Sequence, residues 1–594
     1  MVLLIPPGAG YDEEDHLVRV WEISGFSFLP GKMSPQEMQY PKIFRDFAYR
    51  HQSDGIIDSE FWQTYSGASL YERGYVSREI NTKSAYSPVL LLPQAVAMRY
   101  FGRIADLPAL LVFRLTRLAG LLSYLILTWL AIRWLPFGKW LLLILAVSPM
   151  ALFQASTITA DTIPNGLGFL FIAGSLEAAE HQEIGWRKIG TLIMLVFLLF
   201  LTKLNLTVLI LLPFLLISPS KYRRRWMYPF VLVISILLFA VEVVGWNIIA
   251  TDNVNSLLAN EASVTAQVQH IVNHPLRFLQ TVITDFITNS LTYLQGWING
   301  FGYYYWTSPQ LVSLFFLLGL GFVLFMTSVP DWINKKIRIL LIVIFGLGYI
   351  ATIVPIYTTF TSVGSDEVIG VQGRYFIPSA MLLFLALSGF IVRKTDLSSS
   401  LRWGIGFLVA ALSINLLGIF LAFHVPCGTT FYQTGLCYQP LYKDFTSATH
   451  PSPPLSNEIF LEQEVQVGCD GLAELRVWLF PSILQDGGTT RFILQDMANH
   501  RDLMDTLVYN NQITSETVYP LRFEPDWHSN GKQYILKISG INTSEEQGLR
   551  LFYAPQPELR QGSLYENGQR MPERVILQYG CMTGLRKLWT TGGL

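Results

Sequence analysis

The stretch "RILLIVIFGLGYIATIVPIYT", residues 338–358, carries one charge in 21 residues, at Arg338, and lies one residue after Lys335 and Lys336. A helix that crosses a bilayer needs roughly 20 apolar residues, so this run reads as a membrane span with a basic flank at its start. The same length test gives about ten spans, with approximate limits 109–132, 140–158, 163–179, 189–203, 205–219, 229–250, 310–328, 338–358, 375–392 and 403–423. The fourth and fifth are short, and only Lys203-Leu204-Asn205 divides them.

Composition points the same way. Of 594 residues, 51% are hydrophobic and 14% charged, where a soluble chain has roughly a quarter charged. The net charge is −1, and no basic tract or nucleic-acid motif occurs, so a nucleic-acid partner is excluded. There is also no glycine-rich phosphate loop, zinc signature or Ser/His/Asp order.

Charges in the short loops set the orientation. Fourteen basic residues fall in one set: Arg133, Lys139, Arg187, Lys188, Lys221, Arg223, Arg224, Arg225, Lys335, Lys336, Arg338, Arg393, Lys394 and Arg402. The alternate loops, around Asp161, Lys203 and 359–374, hold only Lys203 and Arg374. Basic loops stay in the cytoplasm, so residues 1–106, the 251–309 insert and everything after 424 are expected outside.

The first outer region opens on "GAGYDEEDH", residues 8–16. Val2–Ile5 is too short for a signal-peptide core or a span, and the expectation is that a helix upstream of this chain start is missing. "DHLVRVWEISGF", residues 15–26, with apolar Leu17, Val20, Trp21 and Ile23, reads as a short amphipathic helix after an acidic cap. Helix capping is the ordinary role for Asp12, Glu13, Glu14 and Asp15. Asp12 and His16, four apart, can instead share a pocket, where a carboxylate could deprotonate a hydroxyl or, with His16, hold a divalent cation. Residues 86–102, with Pro88 and Pro93, and the 266–306 segment read as interfacial helices.

From about residue 455 the pattern alternates. "AELRVWLF", "TTRFILQDM", "KQYILKISG", "LRLFYAP" and "RVILQYG" are strand-length runs between turn residues, and about eight of them fit a β-sandwich. Trp478, Tyr534 and Tyr553 could stack on sugar or fill its core. The four cysteines, Cys427, Cys437, Cys469 and Cys581, all lie in the last third of the chain. They allow three connectivities; Cys469–Cys581, near the first and last strands, with Cys427–Cys437 is the expected one.

Four pieces carry a resemblance: "DEEDHLVRVWEISG" (12–25), "YSPVLLLPQA" (86–95), "SPMALFQASTITADTIPNGLGFL" (148–170) and "VQGRYFIP" (371–378). An acidic pair with a nearby histidine outside a first helix resembles the GT-C superfamily of membrane glycosyltransferases. More narrowly, the pieces resemble the bacterial multi-pass family known as domain of unknown function 2142, in that family's order, over roughly residues 6–423. The resemblance implies a polytopic α-helical, GT-C-like protein of the bacterial plasma membrane with an extracytoplasmic, jelly-roll-like β-sandwich. Its parts would be an outer region at 1–106, a helical domain at 107–423 and the sandwich at 424–594.

It also implies an activity: transfer of a sugar, with inversion, from a polyprenyl-phosphate carrier to an extracytoplasmic glycan, lipid or protein acceptor. In that reading Asp12 is the base or metal carboxylate, with Glu13 and His16 beside it. Arg114, Arg117, Arg374 and Lys203 hold the donor phosphate, and Asp161, Gln372 and Tyr86 support the site. Each has a plainer alternative: snorkelling for Arg114 and Arg117, interfacial anchoring for Arg374, a helix cap for Asp161 and a turn marker for Lys203. No cofactor is fixed; a divalent cation is the one candidate. The rival classes are a transporter or flippase for lipid-linked glycans, which calls for polar mid-membrane residues and internal repeats, and a surface receptor displaying the sandwich.

Overall fold

A computed structural model describes residues 1–30, 39–47, 65–77, 82–255, 258, 262–299, 301, 310–388, 397–423, 436–438, 450–481, 487–513, 516–555 and 562–582. The chain divides into a helical unit of Met1–Ala48 and Ile57–Phe423 and a β-rich unit built mainly of His424–Leu594.

In the helical unit, Pro108 precedes the helix Ala109–Trp134, and Arg133 lies in its last turn. Its buried stripe, Val112, Phe113, Thr116, Arg117, Gly120, Tyr124, Thr128 and Ala131, recurs every three or four residues. The helix packs on the helix Thr162–Glu180, which is buried along nearly its whole length. Two glycines make the close packing possible: a Cβ at Gly166 would lie 2.8 Å from Leu127 Cβ, and one at Gly168 would lie 2.7 Å from Pro378 Cβ.

Among the described residues, three helices are long and apolar enough to cross a membrane: Ala109–Trp134, Met227–Ile249 and Lys335–Phe360. Leu204–Leu216, Val312–Met326, Gly373–Leu387 and Gly404–Phe420 are shorter apolar helices. This departs from ten uniform spans, and proline explains much of it, because it removes a backbone donor and clashes with the preceding turn. The 140–158 run breaks at Ser148-Pro149 into Lys139–Ala146 and Pro149–Ala155. The 205–219 run becomes a 3-10 stretch, Leu204–Ile210, and the single helical segment Leu211–Leu216.

Residues 88–104 form a 3-10 turn, a short helix and a π-helical segment in succession. Leu90, Leu91, Ala95 and Met98 are buried, whereas Leu92, Val96, Tyr100 and Ile104, four apart, form an exposed apolar stripe. The helix Pro275–Asn299 is similarly two-sided: Leu276, Ile283, Ile287 and Leu291 are exposed, and Val282, Tyr293 and Trp297 are buried.

Contacts between loops follow the two charge classes. In the basic set, Lys221 donates to the Ala179 carbonyl, Ile184 bridges Tyr222, and Arg338 donates to the Ala386 carbonyl at 2.7 Å. Phe137 meets Trp332 edge-on at 5.8 Å in the same set. In the other set, Lys203 and Arg374 both meet Asp161.

The β-rich unit has two antiparallel sheets around one core. One has the strand order 569–570, 564–566, 460–466, 533–541, 489–496, 502–509; the other runs 573–575, 550–555, 472–480, 577–582, 436–438, with 517–526 also paired to 472–480. Alternation does the sorting: along Thr489–Asp496 every second residue is buried. Leu461, Phe492, Leu494, Leu536 and Ile538 from one sheet share a core with Leu475, Val477, Leu551 and Tyr579 from the other. Trp478, Tyr534 and Tyr553 are all buried, so they are packing residues and not a sugar platform. A disulfide joins Cys469 to Cys581; Cys427 lies outside the described residues, and with it the other expected bridge.

Candidate functional site

The helix Glu13–Ser24 begins at Asp12, which has left-handed backbone geometry (φ 51°) and makes no side-chain cap bond. Such a φ is uncommon for a residue other than glycine. The capping role is therefore not the one the structure gives Asp12. Its carboxylate instead meets Lys83 Nζ at 3.0 Å.

Glu13 turns the opposite way, into the protein. Its carboxylate accepts from the backbone N–H groups of Gly8 (3.0 Å), Gly10 (3.1 Å) and Ile158 (2.8 Å). Arg117 adds Nε at 2.7 Å and Nη2 at 2.6 Å. Arg117 Nη2 also donates to the Pro6 carbonyl at 2.7 Å. Both side chains are 1% exposed. The roles expected for them, a base for Glu13 and a phosphate ligand for Arg117, do not suit a pair whose polar atoms are filled by each other and by backbone. They are a clasp that fixes the 6–13 loop against the 109–134 helix. The loop's glycine is required here, since a Cβ at Gly10 would lie 2.9 Å from Thr157 Cβ. Arg114, one turn earlier, is half-buried.

The other expected residues converge. Asp161 makes no cap bond for its helix either. It pairs with Lys203, accepts from Gln154 Nε2 at 2.7 Å and lies 3.6 Å from Arg374 Nε. Asn165 Nδ2 donates to Gln154 Oε1 at 3.0 Å and fixes that amide. Aromatic faces surround the cations: Arg374 lies 3.7 Å over the Tyr11 ring, and Lys203 lies 5.2 Å from the Tyr86 ring and 5.7 Å from Tyr375. His16 stacks on Tyr86 at 6.3 Å. Arg374 is placed by its neighbour: the Gly373 backbone passes so close to the helix Pro275–Asn299 that a Cβ would lie 1.8 Å from the Tyr293 carbonyl oxygen.

Several buried polar atoms in this cluster have no hydrogen-bond partner among the described residues: His16 Nδ1, Gln372 Oε1, and Arg374 Nε and Nη1. Arg374 is 7% exposed and His16 5%. Burying such groups unsatisfied costs about 1–3 kcal/mol each, more for a charge. A site that holds them ready for a ligand is the economical explanation.

Burial and neighbouring charges set the protonation of two groups in the cluster. Burial pulls the His16 pKa down to about 3, and Lys83 adds to that against the pull of Asp12 and Asp161, so the ring is neutral near pH 7. Burial alone would raise the Asp12 carboxyl, but Lys83, His16 and Arg374 outweigh it and hold it well below the usual carboxylate range. A divalent cation at Asp12 and His16 fits poorly, because Lys83 already occupies the carboxylate and lowers the basicity of the ring. Among the described residues, no group of three or more His, Cys, Asp or Glu side chains could hold a metal ion.

Sequence reasoning missed Lys83, Gln154 and Asn165. Lys83 lies three residues before the quoted "YSPVLLLPQA", and nothing local distinguishes it from a solvated lysine; only its partner across 71 residues does. It also missed Glu242, a carboxylate inside an apolar run, which is an available signal because charge inside a span is costly.

A helical unit with long apolar helices, joined to a β-rich unit, defines a class of membrane protein with an appended sandwich. The family described as "Predicted membrane protein (DUF2142)" matches residues 1–383, and the chain belongs to that family. Among solved structures, the arabinosyltransferase EmbB from Mycobacterium smegmatis is similar at 11% sequence identity and a TM-score of 0.25. The likeness covers 95% of this chain and 64% of that one, so the chain spans less than two thirds of that protein's length. No curated protein matches the chain.

Proposed function

We propose that the protein is a membrane glycosyltransferase that takes a sugar from a polyprenyl-phosphate donor and passes it to a glycan, lipid or protein acceptor outside the cytoplasm. The observation that carries this reading is that two cations, the buried Arg374 and the partly buried Lys203, share the single carboxylate of Asp161, while Arg374 Nε and Nη1 stay without hydrogen-bond partners among the described residues. A phosphate oxygen supplies what those nitrogens lack, and arginine takes it bidentately. Lys83 adds a third cation, paired with Asp12.

In this reading Asp12 is the general base. Its side chain is 39% exposed, against 10% for Asp161 and 1% for Glu13, and Lys83 keeps it ionised. The neutral His16 lies within the same cluster and can accept a hydrogen bond at Nδ1. The acceptor hydroxyl loses its proton to Asp12 as its oxygen attacks the anomeric carbon. The carbon–oxygen bond to the phosphate breaks, and the lipid phosphate leaves onto Arg374 and Lys203.

The test is a deletion strain complemented with wild type, Asp12→Asn or Arg374→Gln at matched membrane levels, with surface glycans compared by mass spectrometry. The expected result is a sugar present with wild type and absent with both variants. Full restoration by Asp12→Asn would remove Asp12 as the base. Full restoration by both variants would overturn the transfer reading.

A further inference from the structure

The span Met227–Ile249 changes character in its second half: Phe239–Val244 is π-helical. A π-helical turn widens a helix locally and is frequent at functional sites. Glu242 lies inside this stretch, and neither carboxylate oxygen has a hydrogen-bond partner among the described residues, though both are buried. A carboxylate within a span marks a function by default, because it costs several kcal/mol to keep there.

Glu242 lines a cavity of about 190 Å³ together with Phe200, Thr202, Trp246 and Asn247. No lysine, arginine or histidine lines it. Three lining donors are engaged elsewhere: Trp246 Nε1 donates to the Ala85 carbonyl at 2.8 Å, Asn247 Nδ2 to the Val243 carbonyl at 2.7 Å, and Thr202 Oγ1 to the Leu199 carbonyl; the hydroxyl of Ser87, also in the lining, accepts from the Val89 N–H. Lys203 is next in sequence to Thr202 but is paired with Asp161. Val241 and Ile249, which also line the cavity, are exposed on the apolar surface of the span, so the mouth opens where lipid would lie.

These features select a ligand by chemistry. A buried carboxyl with no compensating cation holds its proton until positive charge is brought to it, and a bound ammonium supplies that charge and keeps it ionised. Trp246 and Phe200 offer aromatic faces to a cation. The apolar mouth admits a hydrocarbon tail. We propose that this cavity binds the primary ammonium head of a membrane amphiphile, with Glu242 as its counter-ion and the tail lying along Val241 and Ile249. Ser87 and Thr202, which line the cavity, are next in sequence to Tyr86 and Lys203, but no residue named in the Asp161 cluster lines it, and its charged side chain is a carboxylate where that cluster gathers cations.

The experiment uses the full chain in nanodiscs of neutral lipid and radiolabelled dodecylammonium as the probe, with empty nanodiscs subtracted. The expected result is saturable binding that weakens at least tenfold in Glu242→Gln and several-fold in Trp246→Leu. Unlabelled dodecylammonium should compete, and dodecyl sulfate and dodecyl β-glucoside should not. Where Glu242→Gln does not assemble, Glu242→Asp should keep binding and Trp246→Leu alone should weaken it. The proposal is overturned by no saturable binding to wild type, by unchanged affinity in the assembled variants, or by equal competition from the glucoside, which would mean recognition of donor hydrogens without charge.

Discussion

Arg117 and Glu13, 104 residues apart in the sequence, meet through two parallel N–H···O bonds of 2.6 and 2.7 Å in a fully buried setting. The first turns of the chain are thereby pinned to Ala109–Trp134, the helix that packs extensively on Thr162–Glu180. The position of Asp12, one residue from Glu13, is inherited from this clasp.

Removing one side of a buried pair strands the other charge, at a cost of about 3–5 kcal/mol. Arg117→Met and Glu13→Gln should therefore each lower the thermal midpoint and the yield of monodisperse protein, read by size-exclusion and differential scanning fluorimetry. Wild-type stability in both variants would show that the clasp is dispensable.

Gly373→Ala should displace the segment that carries Arg374, because the added Cβ would meet a backbone carbonyl that has nowhere to go. Overpacking of this kind costs typically about 1–3 kcal/mol. The expected outcome is reduced stability together with loss of the surface sugar, whereas Gly190→Ala, where a Cβ meets nothing within 4 Å, should leave both unchanged.

Acid should destabilise the helical unit. Below the ordinary histidine value of 6.5 the unfolded chain takes up a proton at His16 that the folded chain refuses until about pH 3. Stability is thus full above pH 6.5 and falls as the pH drops through that window. Asp12, depressed in the fold, adds a further loss below its ordinary value of 3.8. Thermal midpoints between pH 8 and 4 should show the decline, and His16→Gln should flatten its upper part.

The Cys469–Cys581 bridge closes a separation of 112 residues. Loops of this length give roughly 4–5 kcal/mol in the chain-entropy account, with measured losses near 2–5. Reducing the full chain should speed proteolysis of the β-rich unit while leaving fragments of the helical unit at their wild-type rate. Equal proteolysis with and without reductant would count against it.

What the sequence determined by itself follows from periodicity and charge. Long apolar runs fixed the helical unit, alternation fixed the strands of the sandwich, and the two sets of loop charges anticipated which loops touch. These are local or additive signals, readable without knowing any partner. Asp161, Lys203 and Arg374 could be nominated because charge is rare in such a chain.

Tertiary structure decided how those residues are used. Asp12 and Glu13 are adjacent carboxylates with equal claims in the sequence, yet the left-handed turn at Asp12 sends one toward Lys83 and the other into the Arg117 clasp. Arg117 and Arg374 look alike as span-end cations, but Arg117 is satisfied and Arg374 is not. A charge's function depends on whether its hydrogen bonds are already made, and here those partners come from segments tens to hundreds of residues away. No window of sequence contains that information.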